Sequence, residues 1–486
     1  MQVYRLDGNT LDVIACPPDD VRKGDYLLLE EATRRRGLIV QVVNIGYANV
    51  PGILEDLLRE SSSTLRQGED MDLLGVQSFL DMIRDAKVFR CKIRRALVDG
   101  RLSHDISWTP SRSSSRLTKL HDDELVRAVE RGGGRYIDLG VLSSGEPVRL
   151  RVATIDGRLN IITGKKGTGK SHLSKLLLTG LTGHGGICLV FDVNGEYVDL
   201  DQRTAGGAPS RQTRIRVLEP GRNFKITLAY TGLNVLLRIA STVLDLPANS
   251  AWEFRRIWKR LADANGLTMQ NLGEAIRRVS NLYVRDALLR RHENLVASGL
   301  FTDDPDAATT LEDWLHALRH GGALVVNLRD LSAGMRRIVV EFTLSKLTRL
   351  LARRVLHAVF LFAEEAHLYL RGTYWDDIVT RMRHLGVFST FITNQPDSIS
   401  EGIYRQADNV FLFNFTNEND LAMVSKATMV DVETVTTLAK ELPPRYCLAL
   451  GRVVNDLPLI VAVHPLTVKA HGETRLFFRE PLTVPQ

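Results

Sequence analysis

Cysteine is scarce in this 486-residue chain: there are four, Cys16, Cys91, Cys188 and Cys447, and no two form a CxxC pair. That spacing excludes a disulfide framework and a cysteine-based zinc site, leaving the thiols as small core residues of a reducing compartment. Long apolar runs are missing as well. The longest, around Ala323–Val326 and Ala358–Ala363, fall far short of the roughly 20 residues that span a bilayer. The N-terminus lacks the basic-then-apolar pattern of a secretory signal. No internal repeat is present. Histidine offers one pair at helical spacing, His316 and His320; without a third ligand nearby it reads as a helix end complementing the dipole rather than a metal site. The expectation is a soluble cytoplasmic protein with no membrane of its own.

What is present is ordinary globular composition, 44% hydrophobic and 25% charged, in a chain long enough for two or three domains. Lysine and arginine (63) exceed aspartate and glutamate (57), giving a net charge of +6. The sign favours an acidic partner such as nucleic acid, although spread over this length it is a weak indicator.

The first fifty residues read as short strands, Val3–Leu6, Tyr26–Leu29 and Gly37–Val43. Close spacing and alternating polar residues predict a small N-terminal β-barrel over 1–110, with helical patches near 52–60 and 71–83 and a further strand at Lys87–Val98. A connector follows (111–145), Ser/Arg-rich at its start. Beyond Tyr136 strands and helices alternate, predicting an α/β fold whose parallel sheet is covered on both faces. That core runs in two parts, 146–232 and 321–465, around an arginine-rich helical insertion at 233–320, and ends in a tail at 466–486.

The core is organised around Asn160–Ser171. Gly164, Gly169, Lys170 and Ser171 satisfy the P-loop pattern GxxxxGK(S/T). An apolar run (Leu159, Ile161, Ile162) precedes it, and Leu173, Leu176, Leu177 and Leu181 follow on one helical face. Glycines let the backbone wrap phosphate oxygens, which its N–H groups and the helix N-terminus bind. The expected ATP cradle is Gly164, Lys165, Lys166, Gly167, Thr168, Gly169, Lys170, Ser171 and His172. Lys170 is assigned to the β- and γ-phosphates and the Ser171 hydroxyl to Mg²⁺.

A second apolar run, Val359–Ala363, delivers Glu364 and Glu365 to a strand end, where the phosphates of a doubly wound sheet sit. Glu364 is assigned to the Mg²⁺ shell and Glu365 to orienting and polarising the attacking water. The strand Val387–Thr393 ends in Asn394-Gln395-Pro396, either an amide sensor of the γ-phosphate or an ordinary turn. Asp192 and Glu196 either face the same cleft or flank a glycine turn. Arg381, Arg383 and His384 precede Gly386; an arginine lent across a subunit boundary stabilises transition-state charge.

In this order the pieces resemble the HerA family of hexameric ATPases, in the HerA/FtsK branch of RecA-like P-loop motors. The likeness covers nearly the whole chain: the barrel around Gly24-Asp25-Tyr26, the P-loop, and Asp192–Tyr197 on the family's DxxGEY. It continues through Glu364–His367 on (D/E)EAH, Arg383–Gly386 on RKxG, and the amide–proline segment Asn394–Pro396. Lys165-Lys166 departs from the usual small or hydroxyl residues, His384 replaces a lysine, and the sensor glutamine falls on Asn394 with Gln395 one place later. The resemblance implies a RecA-like core with a HAS-barrel-like N-terminal domain. It also implies a homo-hexameric ring with nucleotide between subunits, Arg383 reaching into a neighbour's site, and DNA in the pore.

Family members work with a NurA-like nuclease in DNA end processing, or with effectors in anti-phage defence. The leading expectation is therefore an ATP-driven DNA translocase or helicase. The alternative is a nucleotide-gated hexameric platform that recruits and activates an effector without threading DNA. DNA contacts are expected from the loop arginines Arg203, Arg211 and Arg371, with Tyr374 and Trp375 stacking on bases or packing internally. The helical pairs Arg255-Arg256, Arg277-Arg278, Arg290-Arg291 and Arg336-Arg337 are expected on solvated faces or subunit contacts.

Overall fold

Two sheets carry the chain. The computed structural model describes residues 1–15, 20–31, 36–48, 85–99, 101–111, 114–130, 132–202, 214–370, 382–428 and 430–472. The N-terminal strands are β1 (Gln2–Asp7), β2 (Thr10–Ala15), β3 (Tyr26–Glu31), β4 (Arg36–Tyr47), β5 (Lys87–Val98), β6 (Arg101–Ser103) and β7 (Ser115–Lys119). They pair antiparallel in the order β1-β2-β5-β4-β3-β7, with β6 on β5. Alternation puts Leu11, Val13, Leu27, Leu29, Val40, Val42, Phe89 and Cys91 into one core. Register shifts at Ile39/Val40 and Val42/Asn44 bend the long β4–β5 pair. Among the described residues β1 and β7 are each paired on one side only, so the expected barrel is a half barrel. The start of the connector supplies β7, where Leu117 turns inward between polar neighbours. The expected helical patches near 52–60 and 71–83 lie outside the described residues.

The second sheet contains β8 (Tyr136–Val141), β9 (Pro147–Arg151), β10 (Asn160–Thr163), β11 (Ile187–Asp192), β12 (Ile215–Leu218) and β13 (Gly322–Asn327). It continues with β14 (Val359–Ala363), β15 (Val387–Thr393), β16 (Asn409–Leu412), β17 (Tyr446–Gly451) and β18 (Leu459–Val463). The order is β12-β13-β11-β14-β15-β10-β16-β17-β18-β8-β9. Pairing is parallel from β12 to β16 and antiparallel beyond. Successive side chains enter opposite layers, as the period-2 geometry of a strand requires. Ile161, Leu189, Phe191, Leu324, Val326 and Leu361 join one core; Ile162, Cys188, Val190, Ala323, Val325 and Phe362 join the other. The P-loop helix (Lys170–Gly183) packs into the second through Leu173, Leu177 and Leu181.

The long helix Ala333–Ala352 and the insertion cover the first layer. The insertion contains helices Leu233–Arg238, Ala248–Asp263, Met269–Arg277, Leu282–Ala297 and Leu311–Ala317. They bury Phe254, Ile257, Trp258, Leu272, Ile276 and Leu288 and leave Arg255, Arg256, Arg277 and Arg278 exposed. Residues 298–310 are not helical; Phe301 bridges to Ile226 instead. Other arginines of the predicted pairs are internal donors. Arg291 donates to the Leu244 and Asp245 carbonyls (2.9 and 2.6 Å), and Arg336 to that of Leu328 (3.1 Å).

The half barrel is tied to the core. Tyr26 Oη and Gln41 Nε2 donate to the Pro458 carbonyl (2.8 and 3.0 Å), Arg94 reaches Asp431 and Thr434 (3.2 and 2.7 Å), and Lys23 pairs with Glu441 (2.8 Å). Cys91, Cys188 and Cys447 are free and buried, while Cys16 lies outside the described residues. Among the described residues no helix is long and apolar enough to cross a membrane.

Candidate active site

Parallel register decides which residues meet. Thr163 lies beside Thr393, and Ala363 beside both Phe391 and Phe191. Gly164, Glu364 and Asn394, which follow these strands, and Asp192, the last residue of β11, therefore emerge together on the carboxyl edge of the sheet.

The P-loop leaves β10 through Gly164 at φ 154°, where a Cβ would lie 2.5 Å from that of Phe413. Gly169, at φ 123°, is closed in by the Phe413 ring and the Arg445 backbone. Only glycine fits such backbone conformations beside such neighbours. The loop is held from outside: the Lys165 amide donates to the Asn414 carbonyl (3.0 Å) and the Arg445 amide to that of Thr168 (2.8 Å). The helix begins at Lys170 with neither a side-chain cap nor an acid in its first turn, so its amides and dipole are open to an anion. Lys170 Nζ donates to the Lys165 carbonyl at 2.8 Å. Burial lowers the pKa of this ammonium, against the pull of Glu365, Glu364 and Glu196. Lys165 and Lys166 are exposed at the loop tip.

Glu364 is 2% exposed. Its Oε1 accepts from the Tyr197 hydroxyl, which also meets Ser174 Oγ at 2.7 Å. Burial pushes its pKa up to about 7, although the Tyr197 bond opposes the shift. Glu365 sits at φ 47°, a left-handed conformation that costs a side-chain-bearing residue about 1–3 kcal/mol and clusters at functional sites. His367 Nδ1 stands 3.4 Å from Glu365 Oε2 and 3.2 Å from Thr393 Oγ1.

Thr163 Oγ1, Glu364 Oε2, Glu365 Oε2 and Asn394 Oδ1 are buried without a hydrogen-bond partner. Buried acceptors left unpaired are expensive. Their position beside an open helix N-terminus fits a nucleoside triphosphate with its magnesium ion: carboxylate oxygen for the cation, amides and Lys170 for phosphate. Gln395, by contrast, has an exposed side chain and offers its backbone to Thr393. Of the two candidate amides, the structure turns Asn394 inward.

The remaining candidates are placed differently. Both Asp192 oxygens accept backbone N–H groups, from Glu196 (3.0 Å) and Tyr197 (2.9 Å), so this carboxylate shapes the turn that aims Tyr197 at Glu364. Glu196 pairs with Lys175 of the P-loop helix at 2.8 Å. His172 Nε2 donates to the His464 carbonyl (2.7 Å), and burial lowers its pKa. Arg383 is at the opposite, amino edge of the sheet, 3.5 Å from Asp408. His316 and His320 have the Arg319 guanidinium between them, which disfavours a cation there. Arg203, Arg211, Arg371, Tyr374, Trp375 and Arg381 lie outside the described residues. Sequence reasoning missed Ser174, Lys175, Asp408, Phe413 and Asn414, which belong to no local motif.

A phosphate-binding loop on a parallel strand, with an acidic strand end two strands away, defines a P-loop NTPase of the doubly wound α/β class. Residues 137–347 match the family model for the central domain of helicase HerA. The DNA double-strand break repair helicase HerA of Sulfolobus acidocaldarius is 23% identical over 495 residues, covering 93% of this chain and 90% of the relative. Its counterpart from Saccharolobus solfataricus is 21% identical over 72% of this chain and 73% of the relative. The chain is thus similar to the HerA helicases, through the central domain and more distantly over most of its length.

Solved structures share the fold. VirB4 of Thermoanaerobacter pseudethanolicus superposes with a TM-score of 0.53 (15% identity, 69% of this chain and 98% of that one). The conjugative coupling protein TrwBdeltaN70 gives 0.51 (14% identity, 72% and 93%).

Proposed function

We propose that this chain is a Mg²⁺- and ATP-dependent DNA translocase or helicase, working as a homo-hexameric ring with one nucleotide at each subunit seam and passing DNA to a partner nuclease. Within a site, Lys170 and the amides of Gly164–Ser171 bind the phosphates. Ser171 and Glu364 hold the magnesium ion, which neutralises charge on the phosphate oxygens. Glu365 orients and polarises the attacking water, and Asn394 reports on the terminal phosphate.

One observation carries this reading: unpartnered acceptors gather at the carboxyl edge while Arg383 stands at the amino edge. The strand between them, β15, is about 20 Å long at 3.3 Å per residue. Arg383 therefore serves a site other than its own, as a ring provides. The names of the archaeal relatives, repair helicases acting on double-strand breaks, support DNA as the substrate and a repair nuclease as the partner.

The test is ATP turnover with and without duplex DNA, together with displacement of a protein roadblock from that DNA. DNA-stimulated turnover with directional displacement is expected. Turnover indifferent to DNA, alongside a tight complex with an effector, would replace the motor by an assembly platform.

A further inference from the structure

The amino edge of the core sheet holds a second cluster, centred on Asp408, the residue before β16. Its side chain is 7% exposed. Oδ1 lies 3.3 Å from Arg158 Nη1 and 3.4 Å from Arg452 Nε. Oδ2 lies 3.5 Å from Arg383 Nη1 and accepts the Leu159 amide at 3.2 Å. One carboxylate thus faces three guanidiniums, an excess of two positive charges that arginine cannot shed by deprotonation.

Arg158 Nε is buried without a partner. A cavity of about 220 Å³ opens on one side of Arg158, lined also by Arg383 and His384. One of about 440 Å³, lined also by Arg151 and Arg452, opens on the other. The Arg452 and Arg383 side chains remain 60% and 45% exposed. A central carboxylate screens the mutual repulsion of the three cations and fixes their spacing, while the exposed parts of Arg383 and Arg452 stay accessible to an anion.

We propose that Asp408 is a positioning residue for the neighbouring subunit's nucleotide site, holding Arg383, Arg452 and Arg158 as one set that receives a phosphate-class anion at the seam. This rests on the ring reading above and adds to Arg383 the carboxylate that aims it. The set lies a strand's length from its own P-loop, so it acts in trans.

Asp408→Asn in the full-length protein keeps the shape and removes the charge. Expected are retained binding of a fluorescent ATP analogue, turnover lowered about 10- to 100-fold, and a matching loss of trapped ADP–aluminium fluoride. Mixed with Glu365→Gln subunits, the variant recovers turnover, because an intact Asp408 then faces an intact Glu365. Wild-type turnover and trapping overturn the proposal. So does a loss that mixing leaves in place, since it marks a defect inside the subunit's own fold.

Arg452→Ala, at an exposed side chain, covers the case in which the Asp408 variant does not fold. A severalfold loss restored by mixing is expected, and no change overturns the proposal. Arg383→Ala mixed with Glu365→Gln runs in parallel. If that mixture stays inactive, the ring reading falls; if it recovers and the Asp408→Asn mixture does not, the positioning role alone falls.

Discussion

At its carboxyl edge the core sheet presents Glu364, Glu365 and Asn394, with acceptor oxygens buried and unpaired. At its amino edge the strands present Arg158, Arg383 and Arg452 around the single carboxylate of Asp408. One edge leaves carboxylate and amide oxygens without donors, while the other gathers three guanidiniums on one carboxylate. The length of the strands keeps the two apart within a chain; in the ring proposed above, a neighbouring copy would bring them together. The contrast is what the proposed ring requires, each subunit supplying half of two sites rather than the whole of one.

The most damaging test at the carboxyl edge is Glu365→Gln, expected to retain ATP while turnover falls by about 10²–10⁴. Lys170→Ala should instead lose nucleotide binding itself; near-normal turnover in either variant would break the assignment of that edge.

Next comes pH. In the proposed role the Glu364 carboxyl, pushed up to about 7 by burial, must ionise to hold Mg²⁺, so the apparent Mg²⁺ affinity is expected to weaken about tenfold per unit below that pH. Its folded pKa exceeds its unfolded one, so the folded state binds the extra proton and loses stability as pH rises from about 4.5 to about 7. Metal-free Glu364→Gln is therefore expected to melt higher than wild type at pH 8, by up to about 3 kcal/mol. The gain should shrink toward pH 5. An equal melting point at pH 8 would show that the carboxylate is not desolvated.

Tyr197→Phe removes the hydroxyl that stabilises ionised Glu364. It should move the midpoint of the pH–rate profile upward, at a cost of about 1–2 kcal/mol; an unmoved midpoint would detach Tyr197 from the site. The smallest contrast is between the two amides. Asn394→Ala is expected to lower turnover severalfold and Gln395→Ala to leave it nearly unchanged, and the reverse order would reassign the sensor.

Much of the carboxyl edge was legible in sequence because each part is local. A β10-type apolar run, the loop glycines and leucines at helical spacing specify the P-loop, and Val359–Ala363 specifies where two acids emerge. What the sequence withheld depends on register and on distant residues. Asn394 and Gln395 are adjacent amides until the pairing of Thr393 with Thr163 decides which one turns inward. Asp192 and Glu196 match a motif, yet their oxygens are taken by backbone amides and Lys175. The left-handed turn at Glu365 has no glycine to announce it. Asp408 gathers arginines from three separate segments, an arrangement no spacing rule detects. The start of the connector hid β7 because polar composition masked a single inward leucine.

The division of the site between two subunits is tested most directly by mixing. Arg383→Ala and Glu365→Gln proteins, each nearly inactive alone, are combined in equal amounts and ATP turnover is followed. Recovery well above both parents is predicted, because some seams then pair an intact Arg383 with an intact Glu365. A mixture no more active than the average of its components would contradict the account.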